Sequence, residues 1–105
     1  MSGVLGLLGL GLRGRLVVMG VSAVRAELKG GTLRCVVLAS DASRRAVEKV
    51  VRLAAGSGVP VVPGPAAAEL GGRLGRPPVM VVGVRDRGLA DGILRAASGR
   101  DVTED

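Results

Sequence analysis

Residues 33–51, LRCVVLASDASRRAVEKVV, constrain the backbone more tightly than any other stretch of the chain. Val36, Val37 and Leu38 form a short, largely β-branched apolar run, the pattern of a strand covered on both faces. At Ser40-Asp41-Ala42-Ser43 the period changes, and Val47, Val50, Val51 and Ala54 recur at helical spacing. Ser40, Asp41 and Ser43 each carry an oxygen able to cap the N–H groups at that helix start. The unit is therefore strand, capped turn, helix. Such a unit cannot bury both faces of its strand alone, so the remaining chain must supply neighbours.

Those neighbours follow the same rhythm. Val4, Leu5, Leu7 and Leu8 predict a packed first helix, although the glycines at 3, 6, 9 and 11 weaken it. Residues 9–14, GLGLRG, match G-x-G-x-x-G, but a helix precedes them and a strand follows, the reverse of the dinucleotide order. Residues 15–19 read as a strand, and Gly20 opens a helix with Val21, Val24 and Leu28 on one face and Gly30-Gly31 at its end. Ser22 near its start suits a cap or a phosphate contact. The helix from Ser43 to Ala55 carries Arg45, Lys49 and Arg52 as a basic stripe; Glu48, four residues from both Arg44 and Arg52, is placed to pair with them, and the stripe reads as a solvated helix face rather than an RNA contact. Residues 59–62 give a short strand with Pro60 near its start. Pro65 suits the first position of a helix running to Leu74. Arg76-Pro77-Pro78 is a stiff basic loop before a strand over 79–84, and Asp86 caps a last helix with Leu89, Ile93 and Ala96 on one face. Helix and strand alternate strictly, which predicts one mostly parallel or mixed sheet covered by helices on both faces.

No repeat or linker interrupts this pattern. It predicts a single domain over residues 1–98, followed by a polar, disordered tail over 99–105. The apolar N-terminal stretch is too short for a bilayer span of ~20 residues and has no basic leader, so neither membrane nor signal peptide is expected.

Composition limits the chemistry. The 105 residues carry 15 Lys and Arg against 9 Asp and Glu, and 13 of those cations are Arg, whose planar fork suits phosphate. There is no His, which removes His-based triads and His metal ligands, and no cofactor is expected. Cys35, the single cysteine, lies within an apolar strand and reads as a small buried hydrophobe; it cannot form an internal disulfide, so nothing points to an oxidising compartment. Phe, Tyr and Trp are absent, so bases cannot be held by aromatic stacking. A nucleic-acid binder of this composition relies on charge, backbone N–H groups, helix ends and shape. Asp41 with Ser40 or Ser43 has no base placed beside it by the sequence, and capping accounts for all three.

Several segments, in order, carry a resemblance: 16–20, the helix to Gly30, CVVLASDAS at 35–43, SGVPVV at 57–62, ELGGRLGRPP at 69–78 and VVGVRDRG at 81–88. As a set they resemble the kink-turn RNA-binding ribosomal-protein superfamily (L7Ae/L30e type), in its bacterial YlxQ-like branch. The resemblance implies a three-layer α-β-α sandwich around a four-stranded mixed sheet, without catalysis. It also implies an RNA surface built from the start of the second helix and the loop before the last strand. In this chain those are Gly20, Val21, Ser22, Arg25 and Lys29, with Arg76, Pro77, Pro78, Val79 and Met80. A helix start offers N–H groups to phosphate, and an apolar loop packs against bases turned outward.

One departure bears on specificity. Kink-turn binders carry Gly-x-Asn-Glu at that helix start and a Lys three residues on. Aligned on Gly20, these positions hold Ser22, Ala23 and Ala26. Kink-turn reading is therefore expected to weaken, with general affinity for structured ribosomal RNA kept through Arg13, Arg15, Arg25, Lys29 and Arg76. The expectation is a cytoplasmic, monomeric, ribosome-associated RNA binder, with ribosomal or translation proteins as further partners. The alternative is a protein-interaction adaptor of the same fold. Adaptors of this kind tend to be acidic, and this chain carries +6. Salt separates the two, since RNA binding weakens with a log–log slope of about −0.7 to −0.9 per phosphate.

Overall fold

The computed structural model describes residues 3–98, in which five helices and four strands alternate. They are α1 (Gly3–Arg13), β1 (Val17–Met19), α2 (Val21–Gly30), β2 (Cys35–Leu38), α3 (Arg44–Ser57), β3 (Val61–Pro63), α4 (Ala67–Arg73), β4 (Val81–Val84) and α5 (Arg87–Ser98). The strands form one mixed sheet in the order β1-β4-β2-β3. Only β2 and β3 pair in parallel, and β4 runs antiparallel to both β1 and β2. The last strand of the chain thus fills the centre, while β1 and β3 take the edges. Pro63 ends the edge strand β3, where its missing N–H leaves no gap in the ladder.

Residue alternation along the strands divides the core into two layers. Cys35, Val37, Val62, Val82 and Val84 pack with Leu8, Leu70, Ala90 and Ile93 of α1, α4 and α5. Val36 and Val81 pack with Val24, Leu28, Val50 and Ala54 of α2 and α3. The result is an α-β-α sandwich with two helices on one face and three on the other. Val36 and Val37 are both fully buried on opposite faces, as the apolar run at 36–38 requires. Each such side chain contributes roughly 1.5–3 kcal/mol by leaving water. Burial pushes the Cys35 thiol up to about 12, so it behaves as the small hydrophobe its setting predicts.

Several boundaries differ from the sequence expectation, each for a backbone reason. β1 starts at Val17 because the chain leaves α1 through a turn in which Arg15 adopts φ 59°. β4 starts at Val81, not at residue 79, because the Val79 N–H is already donated to the Ala67 carbonyl of α4 (3.0 Å). α4 starts at Ala67, leaving Pro65 outside the helix, where its carbonyl accepts from the Ser40 N–H (3.0 Å). Of the three possible caps for α3, only Ser43 acts there, its Oγ accepting from Ala46 N (3.1 Å). Asp41 instead accepts from Ala67 N (2.8 Å) and caps α4, whose own N-cap residue, Ala66, has no acceptor to offer. Glu48 forms no ion pair with Arg44 or Arg52. The expected tail at 99–105 lies outside the described residues.

Candidate nucleic-acid interface

Strand direction sets where a site can form. Because β1, β2 and β3 share one direction and β4 opposes it, the ends of those three strands and the start of β4 meet at one edge of the sheet. The helices that follow β1, β2 and β3 therefore all begin there, with their partly positive N-termini together. α3 is capped by Ser43, and α4 by Asp41. α2 has no side-chain cap. Its first intrahelical bond runs from Val24 N to the Gly20 carbonyl (3.0 Å), so the N–H groups of Val21, Ser22 and Ala23 precede the hydrogen-bonded ladder.

Beside that open helix start lies a concavity of about 360 Å³, lined by Met19, Gly20, Val21, Arg76, Pro77, Pro78, Val79 and Met80. Its walls are apolar, with Arg76 exposed at the rim and Met80 38 % exposed. Both segments singled out from the sequence, the start of α2 and the loop before β4, line this one groove. Gly20 joins them: its N–H donates to the Val81 carbonyl (3.0 Å), and it holds φ 98°, ψ 153°. That backbone region is open in practice only to glycine, at a cost of ~1–3 kcal/mol for other residues.

The groove loop is held from behind by α4. Arg76 N donates to the Gly71 carbonyl (2.8 Å), Val79 N to the Ala67 carbonyl (3.0 Å), and Ala39 N to the Met80 carbonyl (2.8 Å). Gly71 permits this contact, since a Cβ there would collide with the Pro77 carbonyl oxygen. Asp41 and Gly71 thus support the helix and loop behind the groove, a role the sequence did not reveal. Asp41 was legible as a cap but not as a cap for a helix 26 residues away.

The basic residues divide into two groups. Ser22, Arg25 and Lys29 follow one another on the outward side of α2, leading away from the groove. The Arg25 Nε is buried and makes no hydrogen bond. Arg13 and Arg15 lie at the other end of β1 and are not part of the groove. That far end is closed by side chains. Arg85 grips both carboxylate oxygens of Glu27 (Nε to Oε1, 2.8 Å) and donates to the Arg15 carbonyl (3.0 Å), while Thr32 Oγ1 donates to Glu27 (2.9 Å). The Arg85 hydrogen bond holds the Glu27 carboxyl below its usual range.

Fold and groove together define a class: an α-β-α sandwich with an apolar groove beside an uncapped helix start. Residues 4–93 match the Ribosomal protein L7Ae/L30e/S12e/Gadd45 family, and the chain belongs to that family. Among solved structures, a protein of unknown function from Bacillus halodurans superposes with a TM-score of 0.89 at 26 % identity, over 93 % of this chain and 99 % of that one. A 15.5kD RNA binding protein from Giardia lamblia has a TM-score of 0.74 at 19 % identity, over 95 % of this chain and 86 % of that one, a likeness of fold. No curated protein sequence matches the chain.

Proposed function

We propose that this protein is a non-catalytic binder of structured RNA, associated with the cytoplasmic ribosome, that engages its target through the groove between Gly20 and Met80. The observation that carries this reading is the pairing of an uncapped helix start with an apolar, Arg-rimmed wall in one concavity. The free N–H groups of α2 receive phosphate oxygens. Pro77, Pro78, Val79 and Met80 offer a surface on which an outward-turned base packs without aromatic stacking. Arg76 at the rim neutralises the backbone, and Arg25 and Lys29 extend the contact along α2. The hydrogen bonds behind the loop hold the groove in shape before binding, which lowers the ordering cost of association. The +6 charge and the likeness to a protein described as RNA-binding both support this reading.

Specificity is broader than in kink-turn binders. At the α2 start only the Ser22 hydroxyl remains to meet a base edge, because Ala23 and Ala26 present methyl groups. Ribosomal RNA is the proposed target. A gel-shift titration against a kink-turn hairpin and a ribosomal fragment without a kink, at two salt concentrations, tests this. Similar, salt-steep affinity for both is expected. A strong preference for the kink-turn would overturn the claim of broadened specificity, and no binding to either at low salt would overturn RNA binding itself.

A further inference from the structure

The positive charge is not confined to the groove. Arg44, Arg45, Lys49 and Arg52 all project from α3, exposed, and none makes a side-chain hydrogen bond or ion pair with another described residue. Arg45, Lys49 and Arg52 share one flank, spread over about 10 Å of helix axis. Glu48 is the one carboxylate on this helix.

The placement of the first two is electrostatically adverse. Arg44 and Arg45 occupy the first turn of α3, where the helix dipole repels cations, and no acidic residue is there to offset them. The cap is the neutral Ser43 hydroxyl. α5 also begins with an arginine, Arg87, but there the Asp86 carboxylate accepts from Leu89 N (2.8 Å) and supplies the compensating charge. Two unpaired arginines at the positive end of α3 are a destabilising arrangement that a bound polyanion would relieve.

The head of this helix starts near the groove. α3 begins at the same edge of the sheet, and Ala39, just ahead of its capping turn, donates to the Met80 carbonyl at 2.8 Å. We infer that the α3 flank bearing Arg45, Lys49 and Arg52, headed by Arg44, is a second RNA contact that takes the sugar–phosphate backbone of a duplex arm leaving the groove. The inference rests on the groove reading above and adds a surface to it. The chemistry favours nucleic acid over an acidic protein. The line of Arg45, Lys49 and Arg52 consists of long cationic side chains, and Val51, the exposed large apolar residue of α3, lies to one side of it below Arg44. Protein interfaces instead concentrate their energy in central aromatic or apolar anchors. Phosphate contacts of this kind position a duplex without reading its sequence.

The test compares two synthetic RNAs, a kink-turn hairpin with a short flanking duplex and the same hairpin with that duplex lengthened. Wild-type protein is expected to bind the long form several-fold more tightly. Its log–log salt slope should be steeper by about 2 to 3 units, corresponding to three added phosphate contacts. The triple variant Arg45→Gln/Lys49→Gln/Arg52→Gln should lose that gain and the added slope while binding the short form like wild type. These side chains are exposed, so an unchanged thermal midpoint checks the fold. Equal binding of the long RNA by variant and wild type overturns the inference, as does an equal loss on both RNAs. Displacement of the long RNA by polyglutamate as efficient as by unlabelled RNA also overturns it, in favour of an acidic protein partner. If wild type binds neither RNA, the groove reading has failed and the α3 contact fails with it. Binding of the short form that a Val79 or Met80 variant abolishes, with the α3 variant silent on the long form, sinks the α3 contact alone.

Discussion

The two ends of the sheet handle polar groups in opposite ways. At the far end, beyond β1 and β4, side chains satisfy one another: Arg85, Glu27, Thr32 and the Arg15 carbonyl form one closed network. At the groove end Ser43 and Asp41 cap α3 and α4, but the groove itself is held by backbone, through Gly20, Ala39, Val79 and Arg76, while the start of α2 stays uncapped. One end spends its side chains on structure. The other keeps its donors and its arginines available, and shapes the space around them with main-chain bonds. A surface can be rigid and unsatisfied at once only when different atoms do the two jobs.

Damage to the supports of the groove should therefore cost more than damage to the far network. Gly71→Ala forces a methyl group against the Pro77 carbonyl. It should cost about 3 kcal/mol, the upper end for overpacking, in denaturant titration, and abolish RNA binding by displacing the loop. Gly20→Ala meets no steric contact, and only its φ is wrong. A loss of about 2 kcal/mol is expected, with weaker RNA binding from a displaced α2 start. Asp41→Ala removes the carboxylate that caps α4 from across the fold. It should cost about 1 kcal/mol, with Asp41→Asn recovering most of it. If RNA affinity falls for Asp41→Ala but not for Asp41→Asn, α4 transmits the cap to the groove loop.

The smallest effect belongs to the far end and depends on pH. Arg85 holds the Glu27 carboxyl below its ordinary value. The folded state therefore binds that proton less readily than the unfolded chain, and the pair stabilises at pH values above the ordinary carboxylate range. This contribution disappears as pH falls through the depressed value. Glu27→Gln should lower the thermal midpoint slightly at neutral pH, and the gap from wild type should close in acid. RNA binding at neutral pH should stay unchanged. A widening gap in acid would contradict the account of this pair.

Much of the fold was legible because it is local. Val36, Val37 and Leu38 cover both faces of a central strand, and the Ser43-capped helix follows from spacing alone. What was not legible joins distant residues. Nothing local tells Asp41 to cap α4 rather than α3, and nothing ties Arg85 to Glu27 across 58 residues. Val79 and Met80 read as strand because β propensity reports side-chain shape, whereas the fate of the Val79 N–H was decided by Ala67. The pairing of the two groove segments came from family resemblance, and spacing alone would have kept them apart. Arg13 and Arg15 were expected as general RNA contacts on charge alone, and they stand at the end of β1 opposite the groove.

The most direct test is methyl and amide NMR of the protein titrated with a structured ribosomal RNA fragment. Shifts are expected to concentrate on the Val21, Ser22 and Ala23 amides and on the Val79 and Met80 methyls, while Thr32 at the closed end stays still. Shifts centred on Thr32 and Glu27, with the groove silent, would contradict binding through the groove.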